Sequence, residues 1–236
     1  KKRTSAWIVS LGILVTTLVS GGGVINASAQ YDYARALQYS MLFYDANMCG
    51  TEVGENSLLS WRDDCHVYDA KLPLDSTNTN MSSGYISRYK NILDPNGTGT
   101  VDVAGGFHDA GDHVKFGMPQ VYSASTLGWG FYEFRQQYEE LGQDAHFNDY
   151  FMKVTFRDSS GKVVAHCYQV GDGDIDHAYW DAPENDTMFR KGWFATEELP
   201  ATDAISGAAA SLAINYMNFK DEDPQYAQKS LDYAKS

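Results

Sequence analysis

Residues 105 to 117, Gly-Gly-Phe-His-Asp-Ala-Gly-Asp-His-Val-Lys-Phe-Gly, set two carboxylates, Asp109 and Asp112, three positions apart among glycines and histidines. Two carboxylates beside one water can orient it and take its proton, which is the work of a general base. Gly105, Gly106 and Gly111 open backbone conformations closed to other residues, so a tight loop presenting both carboxylates to one point is expected. Asp-x-x-Asp alone is also an ordinary turn composition. The pair therefore gains meaning only from partners elsewhere in the chain.

A second polar loop, Gln-Val-Gly-Asp-Gly-Asp-Ile-Asp-His-Ala-Tyr-Trp-Asp-Ala-Pro-Glu-Asn-Asp (169 to 186), supplies candidates. Asp172, Asp174 and Asp176 open like a calcium-binding hand, but that loop needs Gly at its sixth position and Glu at its twelfth. Counting from Asp172, those positions hold His177 and Pro183. The hand fails, and what remains is His177 and Trp180, an imidazole that can hydrogen-bond a hydroxyl and an indole that can stack on a ring. Cys49, Cys65 and Cys167 permit one disulfide. Cys49 and Cys65 close the shorter loop and are the expected pair; alternatively Cys49, Cys65 and His66 supply three ligands of a zinc site whose fourth must come from elsewhere. The histidines at 66, 108, 113, 146, 166 and 177 show no His-Glu-x-x-His spacing, against a metalloprotease-like hydrolase.

The elements that must position these loops are mostly helical. Ala34, Leu37, Met41 and Tyr44 recur at spacings of three and four and predict an amphipathic helix over 31–46. Val121, Ala124, Leu127, Phe131, Phe134, Tyr138 and Leu141 predict a second over 119–141, with Pro119 tolerated near its start. Ala204, Ala208, Leu212, Asn215 and Phe219 predict a third over 203–219, capped by Asp203. Val154–Phe156 and Lys162–Tyr168, joined by Asp-Ser-Ser-Gly, predict a short hairpin. Between the first two helices runs a long stretch rich in Asn, Ser, Thr, Gly and Asp, a length that usually carries function.

Charge and termini bound the setting. The formal net charge is −13, and the first 29 residues carry only positive charges, so the remainder is more acidic still. Such a surface repels phosphate backbones and argues against a nucleic-acid partner. Lys1-Lys2-Arg3, an apolar run from Trp7 to Val19 and Ala27-Ser28-Ala29 predict a secretory signal peptide over 1–29, cut after Ala29. The run is shorter than the roughly 17 residues that a membrane span needs. A soluble extracellular protein over 30–236, with no membrane partner after cleavage, is expected. The last residues stop inside a helical pattern with no capping glycine, so the chain is read as cut at its C-terminus as well as lacking an initiator Met.

These segments together resemble glycoside hydrolase family 9, the cellulases. The 105–117 stretch is followed by Met118-Pro119, Leu127-Gly-Trp-Gly130 and Glu133-Phe134; Ser60-Trp61-Arg62-Asp63 lies upstream, and Gln169–Asp174 with His177 and Trp180 downstream, in the family's order. The resemblance spans Tyr31 to Phe219. It implies an all-α fold, an (α/α)6 barrel of which this chain is the N-terminal portion, and a secreted inverting endo-β-1,4-glucanase acting on cellulose or related β-glucans. Asp112 would be the general base and Asp109 would help hold the water. His177 and Trp180 would line glucose subsites on the non-reducing side of the cut. The family's general acid, a glutamate, and its common calcium site draw on later residues. The sequence therefore assigns no metal ligand and no cofactor to the chemistry, and the fragment alone is expected to be inactive. A non-catalytic glucan-binding protein of the same fold and a related specificity (mixed-linkage glucan, xyloglucan) are the alternatives.

Overall fold

The computed structural model describes residues 31–140 and 149–236. The expected signal peptide, residues 1 to 29, and Leu141 of the second predicted helix lie outside the described residues. The first predicted helix is present as α1, Tyr33–Ala46, yet none of its residues is buried. The long polar stretch that follows is not structureless: it contains α2 (Val53–Asn56), a 3-10 turn at Val67–Lys71, β1 (Leu72–Pro73), α3 (Ser83–Leu93) and β2 (Thr100–Val101). β1 and β2 pair antiparallel, Leu72 opposite Val101. α3 begins where the Ser82 hydroxyl accepts the Tyr85 N–H at 3.1 Å, and it buries Tyr85, Ile86 and Leu93.

β3 (Lys115–Phe116) leads from the carboxylate loop directly into α4 (Gly117–Glu133), and α5 (Arg135–Glu140) follows. The single helix expected over 119–141 is thus interrupted at Phe134, whose φ of −123° is non-helical. Arg135 explains the break. Its guanidinium stacks 4.3 Å over the Phe131 ring, bonds Glu222 at 2.6 Å and donates to the Asn218 carbonyl. Those contacts outweigh the last helical bonds.

α6 (Asp149–Lys153), β4 (Thr155–Arg157) and β5 (Val163–Val170) come next, then α7 (Gly173–Asp176), a 3-10 turn at Pro183–Asn185, β6 (Gly192–Ala195), α8 (Thr202–Phe219) and α9 (Pro224–Ala234). The predicted hairpin is β4–β5, but β5 also receives β3 and β6, giving a four-stranded antiparallel sheet. With partners along its length, β5 buries Val164, Ala165, His166 and Cys167 consecutively. This sheet packs with α3 around Tyr85, Leu93, Val103, Val154 and Phe194.

α4 and α8 form a second core through Val121, Ala124, Ala208 and Leu212. All five residues predicted to share one side of α8 are buried. Its N-cap is Ala201 rather than Asp203, which sits inside the first turn, where a carboxylate still favours the helix dipole. α9 is capped by Asp223, which accepts from Tyr226 N at 3.0 Å. Among the described residues, no helix is long and apolar enough to cross a membrane.

Candidate active site

The carboxylate loop is suspended between β3 and an isolated bridge pairing Met48 with Phe107. Cys49 N donates to Gly106 O at 2.9 Å and His108 N to Asn47 O at 2.8 Å; Asp109 N donates to Val114 O at 3.0 Å and closes the turn. Gly105 and Gly106 take φ values of +96° and +81°, and a Cβ on Gly106 would lie 3.0 Å from the Tyr150 ring. Glycine is required there by both conformation and space. Gly111 uses no such conformation and has open space around it, so the expected role of that glycine is not realised.

The second loop reaches the first through α7. The Asp172 carboxylate caps this single turn, accepting from Asp174 N at 3.0 Å and Ile175 N at 3.2 Å. The cap aims Asp176 and His177 at the carboxylate loop. His177 Nε2 lies 2.9 Å from Asp112 Oδ2, and Asp176 Oδ1 accepts the His113 N–H at 2.9 Å. The side chain serving Asp112 is therefore His177. The other oxygen, Asp112 Oδ1, is buried with no hydrogen-bond partner among the described residues.

Burial and then the neighbouring Asp112 charge push the Asp109 carboxyl above its ordinary value, with His177 opposing. The hydrogen bond to Asp112 raises His177 above the usual imidazole value, against desolvation. Asp109 beside an Asp112 held by an imidazole can position a water whose proton passes to Asp112. Trp180 is 89% exposed, and no hydrogen bond or ring contact ties it to this trio among the described residues. Its indole lies open on the same loop, three residues beyond His177.

A model of glycosyl hydrolase family 9 matches residues 33–236. The chain belongs to that family. It is 37% identical to Endoglucanase A of Bacillus pumilus over 221 residues, covering 90% of this chain and 29% of the relative. It is 34% identical to Endoglucanase B of Cellulomonas fimi, covering 98% of this chain and 19% of that protein. Among solved structures, the catalytic domain of Clostridium thermocellum CelT superposes with a TM-score of 0.85 at 73% identity, over 87% of this chain and 43% of that one. The cellulase Cel9M of C. cellulolyticum, also solved with cellobiose, gives 0.69 at 38% identity and 44% of its length. The family 9 chain thus spans less than half of these two catalytic structures and under a third of these two curated relatives. Its helices are the N-terminal part of an (α/α)6 barrel.

The expected Cys49–Cys65 disulfide is not formed: all three cysteines are free thiols. Gly50 and Cys65 exchange backbone hydrogen bonds at 3.0 and 3.1 Å, and the thiols lie within hydrogen-bond reach of one another, with Cys49 also facing the His66 imidazole. Cys49, Cys65, His66 and His108 are buried, with one ligand atom each inside 4.8 Å of the others. His108 is the fourth donor that the sequence could not supply. Cys49 Sγ lies 3.7 Å from His66 Nδ1, and His108 Nε2 lies 3.1 Å from the same atom. Ligands of a tetrahedral zinc are spaced roughly 3.3–3.8 Å apart, given Zn–N near 2.0 and Zn–S near 2.3 Å. The Asp186 carboxylate sits 2.7 Å from His66 Nε2, which holds the proton there and leaves Nδ1 as a lone-pair donor. The donor set fits zinc, the alternative to a disulfide that the sequence left open.

Two charged residues at the site escaped the sequence reading. Arg190 donates to the His113 carbonyl at 2.8 Å and pairs with Asp69 at 3.0 Å, while Lys115 Nζ lies 2.9 Å from Asp69 Oδ2 and donates to Val103 O at 2.6 Å. Burial opposes charge on Lys115, but Asp69 overrides it and raises the ammonium above its ordinary value. Buried charges of this kind persist only when paired.

Proposed function

We propose that this chain is the base-bearing part of a secreted, inverting endo-β-1,4-glucanase acting on cellulose or related β-glucans. The observation that carries the reading is the Asp112–His177 contact at 2.9 Å, with Asp109 beside it on the same glycine-hinged loop. The relatives' names, Endoglucanase A and Endoglucanase B, and the solution of Cel9M with cellobiose support the substrate class. Inversion needs a base carboxylate and an acid carboxyl about 6.5–9.5 Å apart across the sugar, with the nucleophilic water between the base and the ring. Asp112 takes the proton from that water; Asp109 accepts or donates a hydrogen bond that fixes its lone pair toward the anomeric carbon. His177 and Trp180 bind the sugar hydroxyls and ring on the glycone side, as amphipathic groups do.

The general acid belongs outside these carboxylates. Glu184 lies in the second loop, and although burial pushes its pKa up, its hydrogen bonds to Arg62 at 2.7 Å and Asp63 N hold it low and ionised. An acid must be held protonated. The zinc that Cys49, Cys65, His66 and His108 would hold is structural, fixing the segment just before Asp109; all four ligand positions are protein, which leaves no open position for substrate. Export through residues 1 to 29 is part of the same proposal, because cellulose lies outside cells.

The test uses the full-length protein with a soluble cello-oligosaccharide. Proton NMR of the first product should show the α-anomer, and Asp112→Ala should lower kcat about a thousandfold, within the 10²–10⁴ typical of a lost base, while retaining oligosaccharide affinity. Retained turnover in Asp112→Ala, or a β-anomer as first product, sinks the base assignment; binding without turnover in the wild type identifies a glucan-binding protein instead.

A further inference from the structure

We propose that Asp176 is a positioning residue that sets the aim of the Asp112 carboxylate by gripping the backbone of the next residue. This rests on the hydrolytic reading above.

Side chains of a loop are aimed by their peptide planes. Asp112 is followed by His113, and both polar groups of the His113 backbone are held by buried side chains of opposite charge. Asp176 Oδ1 accepts its N–H at 2.9 Å, and Arg190 Nη1 donates to its carbonyl at 2.8 Å. Asp176 and Arg190 are 3% and 4% exposed. A hydrogen bond to a charged group is about twice as strong as a neutral one, and this peptide has one on each side. The adjacent residue of α7, His177, holds the Asp112 carboxylate itself. The dipeptide Asp176–His177 therefore clamps the dipeptide Asp112–His113 at two points, backbone and side chain, across 63 residues of chain.

The anchor behind the clamp is rigid. Arg190 is fixed by Asp69, Asp69 by Lys115, and Lys115 ties back to the carbonyls of Val103 and Gly105 on the near side of the same loop. Asp176 has no such second tie: its Oδ2 is buried without a partner among the described residues. A buried carboxylate is costly unless paired, so one that spends its single hydrogen bond on a loop amide points to a requirement at that amide. Nothing in α7 itself needs it, because Asp172 already caps that turn.

The experiment compares Asp176→Ala, Asp176→Leu and Asp176→Asn in the full-length protein on a soluble cello-oligosaccharide, with deuterium exchange measured over the peptide containing His113. Ala and Leu remove the acceptor; Asn keeps it. A misplacement of about 1 Å can cost 10²-fold, so Ala and Leu should lower kcat about ten- to hundredfold with KM within about twofold. Exchange at His113 should rise in both, and Asn should restore kcat to within about threefold. Leu keeps the side-chain volume, so the comparison survives if Ala does not fold. Wild-type kcat in a folded Ala or Leu variant overturns the proposal, as does a loss that Asn fails to restore. An inactive wild type instead refutes the glucanase reading, and is seen before any variant is made.

Discussion

At the scale of single residues the site turns on His177. It is 60% exposed as a side chain, yet its imidazole is raised by the hydrogen bond to Asp112. A raised histidine pKa means that the ion pair contributes fully to stability below the unfolded value near 6.5 and is lost as pH rises through the higher folded value. Asp112→Asn should therefore bring the His177 NMR titration midpoint down toward 6.5. The stability difference between wild type and variant should also shrink as pH rises past the wild-type midpoint. An unmoved midpoint would detach His177 from Asp112. Asp109 and Asp112 were legible in the sequence because they share one short segment, and His177 because an imidazole followed by an indole is unusual in an acidic loop. Asp176 and Arg190 were not legible, since each acts on a backbone group far away in the chain and no residue type announces that. Cys49 and Cys65 were seen but misassigned. Their short separation suggested a disulfide, and only the fold brings His108 to them.

At the scale of elements, helix positions followed periodicity and failed where one side chain had a stronger tertiary contact. The break at Phe134 is such a case: Arg135 is drawn onto the end of α8 by Glu222 and the Asn218 carbonyl. The sheet was only partly legible because β3 and β6 have two and four residues, too short to show alternation. The α4–α8 contact depends on small residues. A Cβ at Gly207 would lie 2.3 Å from Val121 Cγ2 and 3.0 Å from Val121 Cβ. Gly207→Ala gains up to about 1 kcal/mol of helix propensity but forces α4, which carries the carboxylate loop at its N-terminus, to shift. Overpacking typically costs about 1–3 kcal/mol, so against that gain the net effect should be destabilising by up to about 2 kcal/mol. Thermal unfolding should show a lower Tm, and a rise would mean that the two helices can part without penalty.

At the scale of the whole molecule, the Cys/His cluster is what joins segments that have little hydrophobic reason to stay together. Cys49 follows α1, none of whose residues is buried; Cys65 and His66 end a polar loop; His108 directly precedes Asp109. His66 even takes a left-handed backbone with φ of 49°, a conformation that costs energy and persists where the surroundings impose it. Asp186 then links His66 at 2.7 Å to His113 Nδ1 at 3.5 Å, so the same carboxylate touches the cluster and the clamped residue after Asp112. A zinc ion at a thousand times its Kd stabilises the folded state by about 4 kcal/mol, and at about 2–4 °C per kcal/mol for a unit of this size its removal should lower Tm by roughly 8–16 °C. Chelator treatment of the full-length protein should release one zinc per chain, produce that drop, and lower kcat through the loosened Asp109–His113 loop while Trp180-dependent binding persists. Zinc should restore Tm, whereas Cys49→Ser should reproduce the loss irreversibly. A protein that contains no zinc as isolated and keeps its Tm in Cys49→Ser would show that these thiols and imidazoles hold the loop by packing alone.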